Sequence, residues 1–522
     1  MQWDSSGIWR PDRRVVLGGA AATMAAALMP GAGFRRAFAT SPRRGGVLRA
    51  GFSQGATTDT LDPATYFSDP TYAIGWAFGN NLVELTSKKE AIPELAESWE
   101  SKDDLKVWTF KLRKDVEFSN GKKLTAADVV YSLNRHLAAD SKSAAKGLLQ
   151  GIRTIRADGN HVVVIEHETG DADIPVIMGD FHLQIIPEGY NDWSTFVGTG
   201  PYILDHFDPG VRLEAHRNPN YWKQDRAWFD AIEFTYIGDA TARMNALVSG
   251  EVDAIDRVEA RIVNLLNQNP AFMLVEAVGS SYNTSVMDVR NPSFSDANVR
   301  EAVKFAVDRK ALVKTIYLGF GEVGNDHPVP SNDPFFHKEL PQWGYDPDKA
   351  KWHLKQAGLS TLALELSTAD AAFTGAVDAV VLMREQAKPA GIDIAVKREA
   401  NDGYWSEVWM KKPFFMSYWG VRPTPGMMFS LAFQCGAPWN ESYWCNDSFT
   451  GLLKAAKTEA DANKRRQMYW DMQEICHKDG GNCIFTFPST IDGYTKKLAG
   501  VEADAVRAFG GARLAERAWF VE

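Results

Sequence analysis

Ten histidines, four cysteines and a surplus of aromatic side chains are the groups through which this 522-residue chain would do chemistry. The histidines are scattered. His161/His167 and His327/His337 lack the spacing of metal ligands, so no metal site is expected. His182, in Asp180-Phe181-His182, is a candidate to face a pocket, against the commoner role of a hydrogen-bonded structural imidazole. The phosphate loop G-x-x-x-x-G-K-[ST], the nucleophile elbow G-x-S-x-G and the zinc helix H-E-x-x-H are absent. One G-x-G-x-x-G exists, at Gly319, Gly321 and Gly324. It follows a helical pattern and opens no helix, the reverse of what a dinucleotide requires, so it reads as a glycine-rich turn. Neither catalysis nor a cofactor is expected.

The four cysteines form two close pairs, Cys435/Cys445 and Cys476/Cys483, without a C-x-x-C. Their compartment is set by the N-terminus. Arg13-Arg14 precede a small-residue apolar run from Val15 to Met29, which Pro30, Gly31 and Gly33 break. Ala37-Phe38-Ala39 then offers an A-x-A exit before Thr40. This is the pattern of a secretory signal over residues 1–39, cleaved after Ala39, and the paired arginines suggest the twin-arginine route. Its removal leaves 52 basic against 64 acidic residues, a net −12 where the whole chain carries −9. An acidic chain gives a nucleic-acid partner no electrostatic support. The mature body contains no apolar stretch long enough to span a bilayer. An exported chain can hold disulfides. For Cys476 and Cys483, a bond and a pair of free thiols both stay open.

The elements that must position these groups alternate between helix and strand, which predicts an α/β architecture. Thr125-x-x-Asp128 is a capping box. Ser295 or Asp296 caps a helix with Val299, Ala302, Val303 and Ala306 on one face. Asp346-Pro347 starts another helix that Gly358 closes, and an amphipathic stretch runs from about Asp461 to His477. Strands are expected at Val107–Leu112, Val162–Ile165, Ile232–Ile237 and Phe414–Trp419. Gly198 to Pro201 and His327 to Pro347 are the linker candidates. An exported α/β chain with 17 Trp, 15 Tyr and 28 Phe and no catalytic signature suggests a receptor for a solute. An exported hydrolase is the reading from another class.

Five segments, in order, resemble bacterial extracellular solute-binding proteins of family 5, the peptide, nickel and opine receptors of ABC importers. They are Leu112 to Arg135 (LRKDVEFSNGKKLTAADVVYSLNR), Val197 to Trp222 (VGTGPYILDHFDPGVRLEAHRNPNYW), Ser249 to Asp253, Phe294 to Gly319 and Tyr345 to Gly358. The resemblance implies a two-lobed periplasmic binding protein of type II with an extra domain beside lobe I and a hinge between the lobes. Lobe I would comprise 45–82, 198–285 and 489–522, the extra domain 83–197 and lobe II 286–488. It also implies capture of a peptide-like or otherwise anionic solute, with a metal chelate, opine or sugar-phosphate conjugate as the alternative. The implied partners are an inner-membrane permease and ATPase, with the receptor itself a monomer.

The segment from Phe415 to Asn446 resembles the family's strand, Trp-Gly turn and aromatic helix. Peptide receptors of the family place an aspartate after that turn to hold the peptide ammonium. Here the turn reads Trp419-Gly420-Val421-Arg422-Pro423, and Arg422 stands near the aspartate's place. A guanidinium binds carboxylate or phosphate, not ammonium. The resemblance also implies a Cys435–Cys445 disulfide. It makes Tyr66, Tyr404, Trp405, Trp419 and Trp439 aromatic pocket candidates, each weighed against core packing, and Asn283 a hinge or ligand contact.

Overall fold

The computed structural model describes residues 42–521. The signal segment, its arginine pair and the Ala39 cleavage site lie outside the described residues.

A 12-stranded mixed sheet runs through the molecule in two halves. In the first, Val47–Phe52 lies parallel to both Ala231–Tyr236 and Ala254–Ile255, and the antiparallel Arg212–Arg217 and Tyr202–Asp208 extend the edge. In the second, Leu362–Thr368 lies parallel to Ile392–Arg398 and Phe414–Trp419, and Phe414–Trp419 pairs antiparallel with Tyr282–Met287. Five of the six residues of Phe414–Trp419 are buried, as expected of a central strand covered on both faces.

One 14-residue strand, Asn482–Thr495, joins the halves. Its residues 482–486 pair with Tyr282–Met287, and its residues 489–495 pair with Phe272–Val278. The partner changes at Pro488/Ser489, opposite the short connection from Val278 to Tyr282. There Gly279 N donates to Pro488 O at 3.0 Å, and a Cβ on Gly279 would lie 2.2 Å from that oxygen, so the crossing tolerates no side chain at this position.

A separate four-stranded antiparallel sheet, ordered Ala96–Lys102, Val107–Leu112, Val162–His167, Ile152–Ala157, forms a smaller unit. The helix Ala126–Leu137 contributes Val129 and Leu133 to its core, and the Thr125/Asp128 capping box starts that helix as its sequence predicts. Asp296 caps Ala297–Phe305, Asp346 caps Pro347–Gln356, and Asp461 caps Ala462–Asp479. Of the linker candidates, Gly198 to Pro201 is buried, with Gly200 N donating to Phe78 O at 2.9 Å, while His327 to Pro347 is buried at His327 to Pro330 and exposed at Pro341 and Gln342. The Gly319/Gly321/Gly324 motif leads into the edge strand Gly321–Val323, and a Cβ on Gly324 would meet Ile484 O at 2.3 Å. Close backbone approach, not phosphate, explains that glycine.

The smaller sheet is tied to the first half by a buried set of charges. Lys223 Nζ lies 2.7 Å from Glu84, 2.9 Å from Glu94 and 2.9 Å from Glu516. Arg513 reaches Glu516 at 2.6 Å and Arg517 reaches Glu84 at 2.7 Å. Burial raises the Glu84 pKa, but Arg513, Lys223 and Arg517 outweigh it and hold the group down at about 2. The three carboxylates converge as metal ligands would, yet three cations already neutralise them, so the cluster is an ion network and not a metal site.

Cys435 and Cys445 are bonded. Cys476 and Cys483 are not, which settles the open pair as free thiols. Seven positions apart in sequence, they face different cores: Cys476 packs with Phe429, Phe449 and Tyr469, and Cys483 with Val286, Phe415 and Phe485. Burial pushes the Cys483 thiol up to about 12 and raises Cys476 as well, so neither is a ready nucleophile. We predict no thiol reactive to Ellman's reagent in the native oxidised protein and two after unfolding. Cys435→Ser with Cys445→Ser should destabilise the chain by about 2–3 kcal/mol through loop entropy, read by urea unfolding. Four thiols in the unfolded, oxidised chain would contradict the pairing.

Candidate functional site

Ligands in open α/β sheets usually bind outside the carboxyl ends of the parallel strands, which points here to the end of Phe414–Trp419. From the second half, Phe414–Trp419 delivers Trp419 and then the Gly420-Val421-Arg422 turn. Thr424 caps the following helix, Pro425–Ala432, accepting from Met427 N. A chain of rings runs along this side. Trp405 meets Tyr418 at 5.5 Å and Trp409 at 6.4 Å, Trp409 meets Trp439 at 6.4 Å, and Trp439 meets Trp419 at 6.2 Å. Trp405, Tyr418 and Trp439 remain 40%, 48% and 46% exposed, unusual for rings so large. The guanidinium of Arg422 ends the chain, 5.7 Å from the Trp419 ring centroid.

Glu441 fixes this side from beneath. Its buried carboxylate accepts from Trp409 Nε1 at 2.7 Å, Ser417 Oγ at 2.8 Å, Trp419 Nε1 at 2.9 Å and Asn482 Nδ2 at 3.2 Å. Burial raises its pKa against the pull of those four donors. The Cys435–Cys445 bond closes the loop that carries both Trp439 and Glu441. Sequence reasoning missed Glu441. Its only signal is one acid inside the aromatic run Trp439-Asn440-Glu441-Ser442-Tyr443-Trp444.

Among the described residues, Arg422 makes no salt bridge to a carboxylate. It donates to its own turn, to Gly420 O at 3.2 Å and Val421 O at 3.0 Å. Burial lowers its pKa; Tyr282 opposes that, while Arg507 adds to it. Two residues on, Thr424 Oγ1 donates to Asp173 of the smaller unit at 2.6 Å, and Asp173 also pairs with Arg465. Lys89 and Asp333 make a second buried bridge, 3.2 Å long, between the same two parts of the molecule.

The remaining predicted residues are placed as follows. Trp419 is buried with its indole N–H committed to Glu441. Tyr66 and Tyr404 are core residues: each is 1% exposed, with its hydroxyl donating to Leu61 O or Met416 O. His182 is buried, Nδ1 on Asp180 at 2.6 Å and Nε2 on Tyr66 O at 2.8 Å, so both ring nitrogens serve the loop beneath helix Asp69–Phe78. Asn283 lies at the crossing and donates to the Tyr317 hydroxyl. Arg422, Trp419, Trp405 and Trp439 are thus brought together, and Tyr66, Tyr404 and His182 are not exposed to join them. A surface hollow of about 390 Å³ lies elsewhere, on the smaller unit beside Tyr131 and Arg135. Arg135 is already paired with Asp62 and packed on Trp193, so it offers no free charge there.

Two halves joined at a double crossing, with a chain of aromatic rings ending at Arg422 beside it, are the frame of a two-lobed binding protein. Residues 90–441 match the bacterial extracellular solute-binding proteins of family 5, middle region, and the chain belongs to that family. The chain is 25% identical to the dipeptide-binding protein of Escherichia coli K12, over 85% of this chain and 90% of that one. It is 30% identical to heme-binding protein A of Haemophilus influenzae, over 53% and 56%. The structure of HbpA2 from Haemophilus parasuis superposes with a TM-score of 0.83 at 22% identity, covering 91% of this chain and all of that one.

Close to the crossing, Asp492 anchors the C-terminal segment. It accepts from Phe509 N at 2.6 Å and Arg257 N at 3.3 Å. Burial pushes its pKa up to about 8, the two N–H bonds oppose this, and Asp256 and Asp69 add to it. The folded state therefore holds a proton that the unfolded chain releases near pH 4. This stabilisation is complete below about pH 4 and is lost as pH rises through about 8. Asp492→Asn should flatten the fall in melting temperature between pH 5 and 8. An unchanged slope would mean that Asp492 is ionised in the fold.

Proposed function

We propose that the chain is exported, loses residues 1–39 and acts in the periplasm as a monomeric receptor that hands a peptide-like, anionic solute to the permease and ATPase of an ABC importer. Lobe I would be 45–82, 198–285 and 489–522, the extra domain 83–197 and lobe II 286–488. We draw the first crossing slightly earlier, at 279–281, because Tyr282–Met287 already pairs with Phe414–Trp419. Closure around the solute shifts a population that the membrane complex reads. The chain itself would catalyse nothing.

The unpaired guanidinium of Arg422 carries this reading. A part-buried cation with only its own turn's carbonyls for company is electrostatically incomplete, and an anion completes it. The exposed rings beside it supply apolar contact for the body of a peptide-sized solute. The bridges from Asp173 and Lys89 across to Thr424, Arg465 and Asp333 support a closed arrangement next to the same turn.

Calorimetric titration with a panel of dipeptides and their C-terminal amides tests the proposal. The acids should bind and the amides should bind far more weakly. Arg422→Ala should weaken the acids by about 30- to several-thousand-fold, the usual 2–5 kcal/mol for a desolvated charge partner, with the melting temperature held. Arg422→Lys should recover part of the affinity, because it keeps the charge and loses the planar fork. Equal binding of acid by Arg422→Ala and wild type would refute the anionic-solute reading.

A further inference from the structure

The smaller unit belongs to the first half by its chain. The chain leaves the first half after the helix Asp69–Phe78 and rejoins it at the strand Tyr202–Asp208, so neither connection runs to the second half. The buried network of Glu84, Glu94 and Glu516 with Lys223, Arg513 and Arg517 reinforces that attachment. Backbone bonds add to it: Ser119 N donates to Gly198 O at 2.8 Å, and Ala144 N donates to Ala64 O at 3.1 Å. A rotation of the halves about the crossing therefore carries the smaller unit with the first half.

The same unit nonetheless grips the second half at two places. At the first, Asp173 Oδ2 accepts from Thr424 Oγ1 at 2.6 Å and Asp173 Oδ1 accepts from Arg465. Next to it, Ala172 N donates to Lys457 O at 2.9 Å. That carbonyl lies in the last turn of the helix Asp447–Thr458, where carbonyls have no donor within the helix. Met427, on the helix that Thr424 caps, packs against the apolar core of the smaller unit. Gly426 leaves room for this approach, since a Cβ there would crowd the Tyr469 hydroxyl and lie 3.3 Å from Asp173 Oδ2. At the second place, Lys89 Nζ lies 3.2 Å from Asp333, with the two side chains only 8% and 2% exposed.

Contacts between two bodies that rotate about a hinge exist in the closed state alone, so each of them biases the equilibrium toward closure. Opening returns Asp173, Lys89 and Asp333 to water, which offsets part of the lost pairing. The matched donors at Asp173, a hydroxyl and a guanidinium, and the packing of Met427 favour the closed arrangement. We propose that the smaller unit is a latch: Asp173 and Lys89 hold the second half against it and keep the two halves closed before a solute adds contacts of its own. Asp173 and Lys89 are then positioning residues that act through closure. Thr424 stands two residues from Arg422, so the Asp173 contact also fixes the turn that carries that guanidinium. A solute meets a receptor whose competent fraction the latch has raised, and its apparent affinity rises in the same proportion. The proposal rests on the closing-receptor reading above and not on the charge of the solute.

Small-angle X-ray scattering of the solute-stripped protein tests it. Wild type should give the profile of the closed structure. Asp173→Ala and Lys89→Asn should each shift the open–closed equilibrium toward open by about tenfold or more, read as a larger radius of gyration with unchanged circular dichroism. Asn suits position 89 because Lys89 has a φ of 60°, a left-handed conformation that Asn tolerates. Asp333→Asn should expand the protein as much as Lys89→Asn, and the double variant no further, because both remove one bridge. A merely structural role would lower the melting temperature without expansion. Lys89→Asn keeps the test decisive even if Asp173→Ala fails to fold. A wild type already expanded, or folded variants that scatter as wild type does, would overturn the latch. No solute enters this measurement, so its failure leaves the Arg422 reading standing, and failure of that reading leaves the scattering result intact.

Discussion

The Asn482–Thr495 strand is the constraint on which the molecule depends. It belongs to both halves of the large sheet, and its partner changes from Tyr282–Met287 to Phe272–Val278 at Pro488/Ser489. Backbone pairing must be complete on each side, because a buried unpaired amide is expensive. Any relative motion of the halves is therefore confined to the two segments that cross, 279–281 and 487–489. Hinges made of a few element-terminal residues are the usual means of such closure. The Arg422 turn sits next to this crossing, sharing a small cavity with Ser280.

Charge is distributed with the same economy. The Glu84, Glu94 and Glu516 set carries three acids and three cations, and it fastens the C-terminal segment and the smaller unit to the first half. At the turn after Phe414–Trp419, Arg422 has no such acid among the described residues, in a chain whose net charge is −9. A local positive site in an acidic protein selects anions by position rather than by bulk attraction. Glu441 does the complementary work on the aromatic side, since four donors to one buried carboxylate leave Trp409 and Trp419 little rotational freedom.

Much of the fold is legible in local signals. The Thr125/Asp128 box and the caps at Asp296, Asp346 and Asp461 start helices because a side-chain acceptor near a free N–H is a short-range event. The α/β alternation and the Phe414–Trp419 strand follow from period and β-propensity. The resemblance at the Trp-Gly turn singles out Arg422, and the Cys435–Cys445 bond follows from the same segment. What escapes is set by tertiary direction. Tyr66 and Tyr404 point into cores because residue type says nothing about which way a loop side chain turns. Cys476 and Cys483 are near in sequence yet face different cores, so nearness gives no bond. Glu441 acts through two rings, a hydroxyl and an amide that the linear pattern does not connect.

The central proposal is that a negatively charged solute completes the Arg422 turn. Receptors that close on their ligand retain it through purification when dissociation is slow. Native mass spectrometry of the protein taken from the periplasm, followed by denaturation and identification of the released molecule, tests this most directly. The account predicts a bound species of peptide size carrying at least one carboxylate or phosphate. A neutral or cationic solute held stoichiometrically by the folded protein would contradict it.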